Sequence, residues 1–260
     1  MELPRQTDFL IIGAGIIGLA IALELKKRFP DSRIVILEKE DQCGRHASGR
    51  NSGVLHAGFY YTADSLKARL TRLGNRELTE YCLEREIPIN RCGKLVVARN
   101  EGELGTLQEL VRRGRHNQVP IELLNDREAR EIEPRVKTFA QALYSPTTAT
   151  VNPADIMQAL AHEVQAAGIL LATSTPFVRH AQGTAWTGQG RLDAGYIVNA
   201  AGLYADRIAR RFGFAEGLVI LPFKGLYLHV HEANARHVVP RRLHRQVRAG
   251  ARLQGLPPGR

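Results

Sequence analysis

Three glycines near the N-terminus have a spacing that suits the binding of a pyrophosphate. Gly13, Gly15 and Gly18 follow the pattern G-x-G-x-x-G, and Glu38 stands twenty residues beyond the last of them. In such a turn one glycine allows a sharp bend, one lets the backbone approach the phosphates, and one lets a helix pack closely against a strand. An acid at position 38 can accept hydrogen bonds from ribose hydroxyls and disfavours a 2′-phosphate. These residues predict a dinucleotide site for FAD or NAD rather than NADP.

The elements that must position these residues also follow from the sequence. Residues 9–12 form a short apolar run without charge, which is typical of a buried parallel strand. Residues 16–29 have the apolar faces of a helix, and residues 33–37 predict a second buried strand that ends at Glu38. The helix would point its N-terminal N–H groups and its positive dipole end at the phosphates. A tight strand-to-helix turn without a ligand is the alternative interpretation.

Composition indicates an ordinary globular protein of one or two domains. The chain has 260 residues, of which 44% are hydrophobic and 24% charged. Its longest uncharged run, residues 9–23, contains the glycine turn and is shorter than the ~20 residues that span a bilayer, so a cytoplasmic protein is expected. Cys43, Cys82 and Cys92 lack metal-ligand spacing and are expected to be idle thiols in a reducing compartment. No metal site is predicted.

A second segment, residues 44–58, favours FAD over NAD. It reads GRHASGRNSGVLHAG and precedes Phe59, Tyr60 and Tyr61. Glycines and small polar residues let backbone N–H groups and hydroxyls lie against an anionic or planar ligand. FAD is long enough to run past the second strand, whereas an NAD dehydrogenase has no evident need for such a segment there. A surface loop rich in turn residues is the alternative.

Five segments together make the sequence recognisable: GAGIIG, LEKE, HASGRNSGVLHAGFYY, CGKLVVA and NAAGLYADRIA. In them it resembles the FAD-dependent L-2-hydroxyglutarate oxidase/dehydrogenase family, within the D-amino-acid-oxidase-like flavoproteins. The resemblance runs from about residue 8 to residue 227 and is most specific over residues 48–61. It implies an α/β fold, a Rossmann-like FAD-binding domain with an inserted, incomplete α+β substrate domain. It also implies oxidation of L-2-hydroxyglutarate to 2-oxoglutarate with FAD as hydride acceptor, and oxygen or a quinone as the final electron acceptor.

The resemblance assigns residue ranges to these domains. The expected FAD-binding domain covers 1–87 and 147–221, and the expected substrate domain covers 88–146. Residues 222–230 are expected to start a second substrate-domain segment, and residues 231–260 to form a disordered basic tail. The tail carries seven arginines and one acid, hence +6 of the net charge of +10. It is expected to be unrelated sequence on a truncated oxidase. A basic arm for nucleic acid or an anionic membrane is the rival, and the lack of stacking aromatics argues against nucleic acid.

Periodicity and capping residues predict the other elements. Asp126 is expected to cap a short helix, and Asn152 with Pro153 to begin a helix that ends near Gly168. The other predicted helices cover residues 65–86, 104–111 and 203–212, and the other predicted strands cover residues 94–98, 121–124, 169–172, 176–179, 184–187, 196–198 and 222–230.

The resemblance also implies site residues by motif position. Arg50 is left out because the family often has histidine there, and Gly202 has a packing role as its alternative. For the pyrophosphate and ribose, the predicted cofactor-binding residues are Gly13, Gly15, Gly18 and Glu38. For the flavin side they are Ser48, Asn51, Ser52, Gly53, Ala57 and Gly58. Lys39, Val178 and Gly202 are further predicted cofactor-binding residues.

His56 is the predicted general base, since an imidazole titrates near neutral pH and this one lies in the segment expected to face the flavin. The alternative is a histidine that only bonds the backbone. Tyr60, Tyr61 and Lys224 are predicted to bind substrate carboxylates, or else to be half-buried side chains with solvated tips. Two further readings stay open: a related amine or amino-acid oxidase, which turnover of glycine or sarcosine would identify, and a flavin-domain fragment without catalysis.

Overall fold

The structure is a computed structural model that describes residues 3–223, 225, 254 and 255. The helices are α1 (Ile16–Arg28), α2 (Leu66–Glu84), α3 (Leu104–His116), α4 (Asp126–Ile132), α5 (Pro153–Ala166) and α6 (Ala205–Arg211). The strands are β1 (Gln6–Ile12), β2 (Ile34–Leu37), β3 (Val54–Leu55), β4 (Ile89–Asn90), β5 (Lys94–Val97), β6 (Glu122–Asn125), β7 (Gln141–Ser145), β8 (Ala149–Val151), β9 (Leu170–Ala172), β10 (Phe177–Ala181), β11 (Thr184–Thr187), β12 (Gly190–Asn199) and β13 (Gln254–Gly255).

The chain forms two compact units. The first unit comprises the residues up to Asn51 together with Pro153–Gly225. The second unit comprises Ser52–Asn152 together with the short strand β13. The second unit is therefore inserted between two stretches of the first, as the predicted fold class requires.

The first unit is built on a six-stranded sheet with the order β10-β11-β12-β1-β2-β9. β1 runs parallel to β12 on one side and to β2 on the other, and β2 runs parallel to β9. All four residues of β2 are buried, as are Leu10, Ile11 and Ile12 of β1. Strands covered on both faces have no position that suits a charge, which is why both segments read as continuous apolar runs. The predicted strand, helix and strand are confirmed.

β12 extends well beyond the strand predicted at 196–198. Residues 190–193 pair antiparallel with β11, and residues 193–199 run parallel to β1. The first part of the strand is largely solvent-exposed, with only Leu192 fully buried. Apolar periodicity therefore detects only the part that lies beside β1.

The second unit contains two small sheets, with the orders β13-β5-β7-β6 and β3-β8-β4. Alternate residues of β5 enter two different cores. Val96 packs in a cluster with Leu107 and Leu110 of α3, whereas Leu95 and Val97 pack in a cluster with Ala129 of α4. The larger sheet is thereby buried on both faces by helices of the same unit.

The unit boundaries differ from the predicted domain boundaries. The chain passes from the first unit to the second at 51/52 and returns at 152/153. β3 pairs with β8, and β8 also pairs with β4, so residues 52–87 and 147–152 fold with the second unit. Pairing between strands almost a hundred residues apart cannot be read from local sequence.

Two local predictions are wrong or incomplete. Asn125, not Asp126, caps α4: its side chain accepts from the Glu128 N–H, and the Glu128 carboxylate accepts from the Asn125 N–H. This capping box leaves Asp126 as the first residue of the helix. The strand predicted over 222–230 does not begin at Pro222 or Phe223, and its remaining residues apart from Gly225 lie outside the described part of the chain. The predicted tail, 231–260, also lies outside it except for β13.

Candidate functional site

The turn between β1 and α1 is tight enough to require glycine at two positions. Gly13 has a φ of +108°, and a Cβ on it would lie 2.5 Å from the Ala200 carbonyl oxygen. A Cβ on Gly18 would lie 1.9 Å from the Gly13 carbonyl oxygen. Both contacts are with backbone, which cannot swing aside. The turn itself therefore demands these two glycines.

Gly15 and Ser48 lie together at the N-terminus of α1. The Ile16 N–H donates to Ser48 Oγ at 3.0 Å, and a Cβ on Gly15 would lie 3.0 Å from the same hydroxyl. The first turn of α1 contains no acidic residue. A 13-residue helix whose positive end meets a hydroxyl instead of a carboxylate suits an anionic ligand. Ser48, predicted on the flavin side, thus lies beside the predicted phosphate residues.

Glu38 is a buried carboxylate at the end of β2, with an exposed fraction of 8%. Its Oε2 accepts from the Ala14 N–H at 2.8 Å, and its Oε1 accepts from the Glu40 N–H at 3.0 Å. These bonds hold the acid against the glycine turn. Each oxygen retains a lone pair that can accept a further hydrogen bond. The geometry suits the predicted contact with ribose hydroxyls.

Lys39 belongs to an exposed cluster of charged side chains. Its Nζ lies 2.5 Å from Glu40 Oε1 and 3.0 Å from His46 Nε2, and 4.9 Å from the centre of the Tyr204 ring. Bonds from Lys39 and then His46 lower the pKa of Glu40 to about 2. The predicted cofactor contact of Lys39 would have to compete with these partners, and it stays a prediction.

The remaining predicted residues of the first unit lie in turns or at the surface. The Asn51 amide donates to the carbonyls of Ala47 at 3.1 Å and Ser48 at 2.9 Å, so its side chain fixes the backbone of its own loop. Val178 on β10 is 45% exposed. Gly202 has a φ of +56°, and a Cβ on it would meet nothing within 4 Å. The backbone conformation, and not packing against a neighbour, therefore favours glycine at position 202.

In the second unit, the segment after β3 alternates between core and surface. Ala57 is 3% exposed and packs in the core cluster with Phe59, whereas the His56 side chain reaches solvent. Gly58 has a φ of +102°, and a Cβ on it would lie 3.2 Å from the Ala68 carbonyl oxygen. The side chain of Ala57 is therefore engaged in packing, and Gly58 is needed for the approach of α2. Both could contact a cofactor only through their backbone.

Residues 52 and 53, which precede β3, lie next to β8. Gly53 has a φ of +67°, and its carbonyl accepts from the Val151 N–H at 2.8 Å. Ser52 precedes it and is half-buried. The flavin contacts predicted for Ser52 and Gly53 stay predictions.

His56 shares its surroundings with Lys94. Removal of water by neighbouring protein atoms, followed by the charge of Lys94, lowers the pKa of His56. Burial also lowers the pKa of Lys94, and it raises the pKa of Tyr60 to about 12. The Lys94 ammonium lies 4.8 Å from the centre of the Tyr60 ring. His56, Tyr60 and Lys94 are thus three titratable groups in one part of the second unit.

The last turn of α3 holds the loop that carries the two tyrosines. Arg113 Nη1 donates to the Tyr60 carbonyl at 3.2 Å. The buried Asn117 amide donates to the Tyr61 carbonyl at 3.0 Å and to the Gly58 carbonyl at 3.3 Å. These bonds fix the loop backbone on which both tyrosine side chains depend. Tyr61 is half-buried, with the exposed Lys67 ammonium 4.6 Å from its ring centre.

The ion pairs of Glu109 in α3 should make the stability of the fold depend on pH in the acid range. It accepts from Arg112 and Arg113, and these bonds, that from Arg112 first, lower its pKa to about 2. A carboxyl group with a lowered folded-state pKa stabilises the fold above its unfolded pKa of about 4.5 and loses this contribution as pH falls toward 2. Between pH 4.5 and pH 2, the unfolding temperature of the unmodified chain should fall more than that of Glu109→Gln. Equal falls in these two proteins, or a fall in the surface control Glu77→Gln as small as that in Glu109→Gln, would contradict this.

Lys94 and Asn117 are the residues that sequence reasoning missed. Lys94 stands in the segment CGKLVVA that carried the family resemblance, so a signal existed but no role was attached to it. Asn117 carries no local signal, because its partners Gly58 and Tyr61 are 59 and 56 residues away. Lys224, a predicted carboxylate ligand, lies outside the described residues.

Two features are absent from the described part of the chain. Within residues 3–223, 225, 254 and 255, no cluster of three or more His, Cys, Asp or Glu side chains is arranged to hold a metal ion. Over the same residues, no helix combines the length and the apolar character needed to cross a bilayer.

A family model described as FAD dependent oxidoreductase matches residues 8–254. The chain belongs to this family. Among its relatives, L-2-hydroxyglutarate dehydrogenase from Salmonella houtenae is 37% identical over 240 residues, an alignment that covers 89% of this chain and 57% of that enzyme. The human mitochondrial L-2-hydroxyglutarate dehydrogenase is 36% identical over 239 residues, with 85% and 51% covered. The resemblance seen in the sequence is confirmed, and the chain spans little more than half the length of these relatives.

The fold also matches a solved structure that contains FAD. L-alpha-glycerophosphate oxidase from Mycoplasma pneumoniae, solved with FAD bound, superposes with a TM-score of 0.72 at 29% identity. The match covers 80% of this chain and 57% of the oxidase. The predicted α/β fold class is therefore confirmed for this member of the FAD dependent oxidoreductases.

Proposed function

We propose that this chain binds FAD and forms part of an oxidoreductase that oxidises a 2-hydroxy acid, L-2-hydroxyglutarate, to 2-oxoglutarate. The observation that carries the proposal is the glycine turn, with the Glu38 carboxylate held against it, in a chain 37% identical to an L-2-hydroxyglutarate dehydrogenase. The substrate follows from the names of the relatives, and the cofactor from the family together with the turn.

The residues of the first unit fit a dinucleotide. The N-terminal N–H groups of α1, with Gly15 and Ser48 beside them, would hold the pyrophosphate. Glu38 would accept from ribose hydroxyls through its remaining lone pairs. Asn51, Ser52 and Gly53 are proposed to contact the flavin part. Bound FAD supplies the acceptor for the hydride that leaves C2 of the substrate.

Oxidation of the alcohol also requires a base for the hydroxyl proton, and we assign this role to His56. Its side chain reaches solvent, and its lowered pKa keeps the imidazole neutral, so that it can accept a proton at neutral pH. Tyr60 and Tyr61 follow in the same loop and are proposed to orient the substrate through their hydroxyls. Electrons would then pass to oxygen or a quinone, and a cytoplasmic location with peripheral attachment to a membrane is part of the same proposal.

Anaerobic spectroscopy of the purified 260-residue chain tests this function. The expected result is a flavin absorption band that bleaches on addition of L-2-hydroxyglutarate. We expect His56→Asn to retain the band but to bleach ~10²–10⁴-fold more slowly, the range that general-base catalysis supplies. The control His162→Asn changes an exposed histidine of α5 and should bleach at the unmodified rate.

Other outcomes separate the alternatives. Bleaching by glycine or sarcosine, but not by L-2-hydroxyglutarate, would identify an amine or amino-acid oxidase. A chain that binds FAD yet reacts with none of these compounds would overturn the proposed oxidation and indicate a flavin domain without catalysis. A folded chain that binds no FAD would contradict the cofactor assignment itself.

A further inference from the structure

Asn117 makes the buried connection between the end of α3 and the loop of residues 58–61. The residue is only 9% exposed, and its amide nitrogen donates to the Tyr61 carbonyl at 3.0 Å and to the Gly58 carbonyl at 3.3 Å. A side-chain amide nitrogen carries two N–H groups, so both donors of Asn117 are committed to this loop. One side chain thereby fixes the backbone at both ends of the loop.

The two tyrosines of the loop are held in different ways. The Tyr60 ring packs against the core cluster that contains Phe59, with the two ring centres 4.2 Å apart. Tyr61 is half-buried and, within the part of the chain that the structure describes, does not belong to this cluster. Its ring centre lies 4.6 Å from the exposed Lys67 ammonium. Core packing therefore fixes the Tyr60 ring, whereas the direction of the Tyr61 ring depends on the backbone that carries it.

The loop itself gives the Tyr61 backbone little support. The Tyr61 N–H donates to the Gly58 carbonyl at 3.4 Å, which is long for a hydrogen bond. Asp64, three residues further on, has a φ of +61°, a conformation that is uncommon for a residue with a side chain. Without the Asn117 bonds, one long turn bond and one strained residue would have to set the direction of the Tyr61 side chain.

We propose that Asn117 is a positioning residue for substrate binding and acts through the Tyr61 hydroxyl. The inference rests on the proposed function, in which Tyr61 orients a substrate that carries carboxylates. A hydroxyl donates well to a carboxylate only within narrow limits of distance and angle. The hydroxyl lies at the far end of the tyrosine side chain, so a small tilt of the backbone displaces it by a larger distance. Asn117 thus sets the affinity for the substrate without contacting it.

Binding of glutarate to the complete 260-residue chain tests this role. Glutarate has both carboxylates of the substrate but no hydroxyl to oxidise, so calorimetry reports recognition and not catalysis. We expect Tyr61→Phe to weaken binding about tenfold to hundredfold, as for the loss of a hydrogen bond to a charged group. Asn117→Ala should weaken binding about fivefold to tenfold, and Asn117→Ser should weaken it less because its hydroxyl keeps one donor.

A double-mutant cycle separates positioning from a general loss of structure. If Asn117 acts through the Tyr61 hydroxyl, Asn117→Ala should weaken binding less than about twofold in a chain that already carries Tyr61→Phe. In a chain that carries Tyr60→Phe, the full effect of Asn117→Ala should remain, because the core holds the Tyr60 ring. Equal effects of Asn117→Ala with and without Tyr61→Phe would overturn the proposal.

The matched control is His116→Gln, in the same turn of α3. His116 Nε2 lies 2.8 Å from Asp64 Oδ2, so this pair also joins α3 to the segment after the tyrosines, but both side chains are exposed. Exposed ion pairs contribute little, and the variant should bind glutarate as the unmodified chain does. Circular dichroism checks that each variant is folded, and Asn117→Ser replaces Asn117→Ala in the cycle if the latter unfolds. Unfolding of both Asn117 variants would assign Asn117 to the stability of the fold and overturn the proposal.

These results are separable from the proposed oxidation. Coupled effects of Asn117 and Tyr61 on glutarate binding, in a chain whose flavin does not bleach, would support the positioning role and contradict the proposed reaction. Independent effects, in a chain that L-2-hydroxyglutarate bleaches, would overturn the positioning role and support the reaction. A chain that binds no glutarate would also overturn the positioning role, and bleaching by L-2-hydroxyglutarate would still decide the reaction.

Discussion

Gly18→Ala is expected to destabilise the first unit by about 3 kcal/mol, at the upper end of the cost of overpacking. The added Cβ would lie 1.9 Å from the Gly13 carbonyl oxygen, a distance at which the backbone must move. Separation of α1 from the turn would also displace the N–H groups proposed to bind the pyrophosphate. The variant should therefore unfold at a lower urea concentration and purify without the flavin band.

A matched control comes from another glycine within a helix. Gly74 lies inside α2, and a Cβ on it would meet nothing within 4 Å. Gly74→Ala should stabilise the chain by roughly 0.5–1 kcal/mol, because alanine loses less backbone entropy in a helix. If Gly18→Ala lay within about 0.5 kcal/mol of the unmodified chain, smaller than the usual cost of overpacking, the close approach of α1 to the turn would be refuted.

Glu38→Ala should produce the second large effect. It leaves the N–H groups of Ala14 and Glu40 without their acceptor, at a cost of about 1–3 kcal/mol for each donor that stays buried. FAD affinity should fall about tenfold to hundredfold, as expected for the loss of a hydrogen bond to a charged group. Urea unfolding measures the first effect, and flavin titration measures the second.

Glu38→Gln separates the effect of the carboxylate charge from the effect of the side-chain shape. The amide retains one oxygen acceptor, so its stability should lie between those of Glu38→Ala and the unmodified chain. Glu24→Gln is the surface control, because Glu24 pairs with Arg28 on the exposed side of α1 and its replacement should change stability by no more than about 0.5 kcal/mol. Equal FAD affinity in Glu38→Ala and the unmodified chain would contradict the proposed ribose contact.

Both predictions concern the part of the protein where sequence and structure agree best. The strand, turn, helix and strand around Gly13 and Gly18 are contiguous in the chain, and each is specified by its own residues. Glu38 directly follows β2, so the parallel pairing of β2 with β1 brings its carboxylate next to the glycine turn. Close packing of the helix on the strand and an anion-binding helix end both require glycines at fixed spacing in the sequence. Prediction succeeds there for that reason.

The sequence by itself also determined the family and the α/β class, since short motifs carry both. Only the tertiary structure decided that residues 52–87 belong to the second unit, because β3 meets its partner β8 almost a hundred residues later. It alone assigned Ala57 to the core and gave Gly58 its contact with α2.

The same distinction applies to the loop that carries Tyr60 and Tyr61. Lys94 and Tyr60 are 34 residues apart, and their contact exists only because β5 and the loop pack into one core. Partial burial of an ammonium and complete burial of a hydroxyl are properties of that packing, and no pattern of residue types encodes them. The sequence thus determined which chemistry is present, and the tertiary structure decided which groups lose water and therefore which can bind.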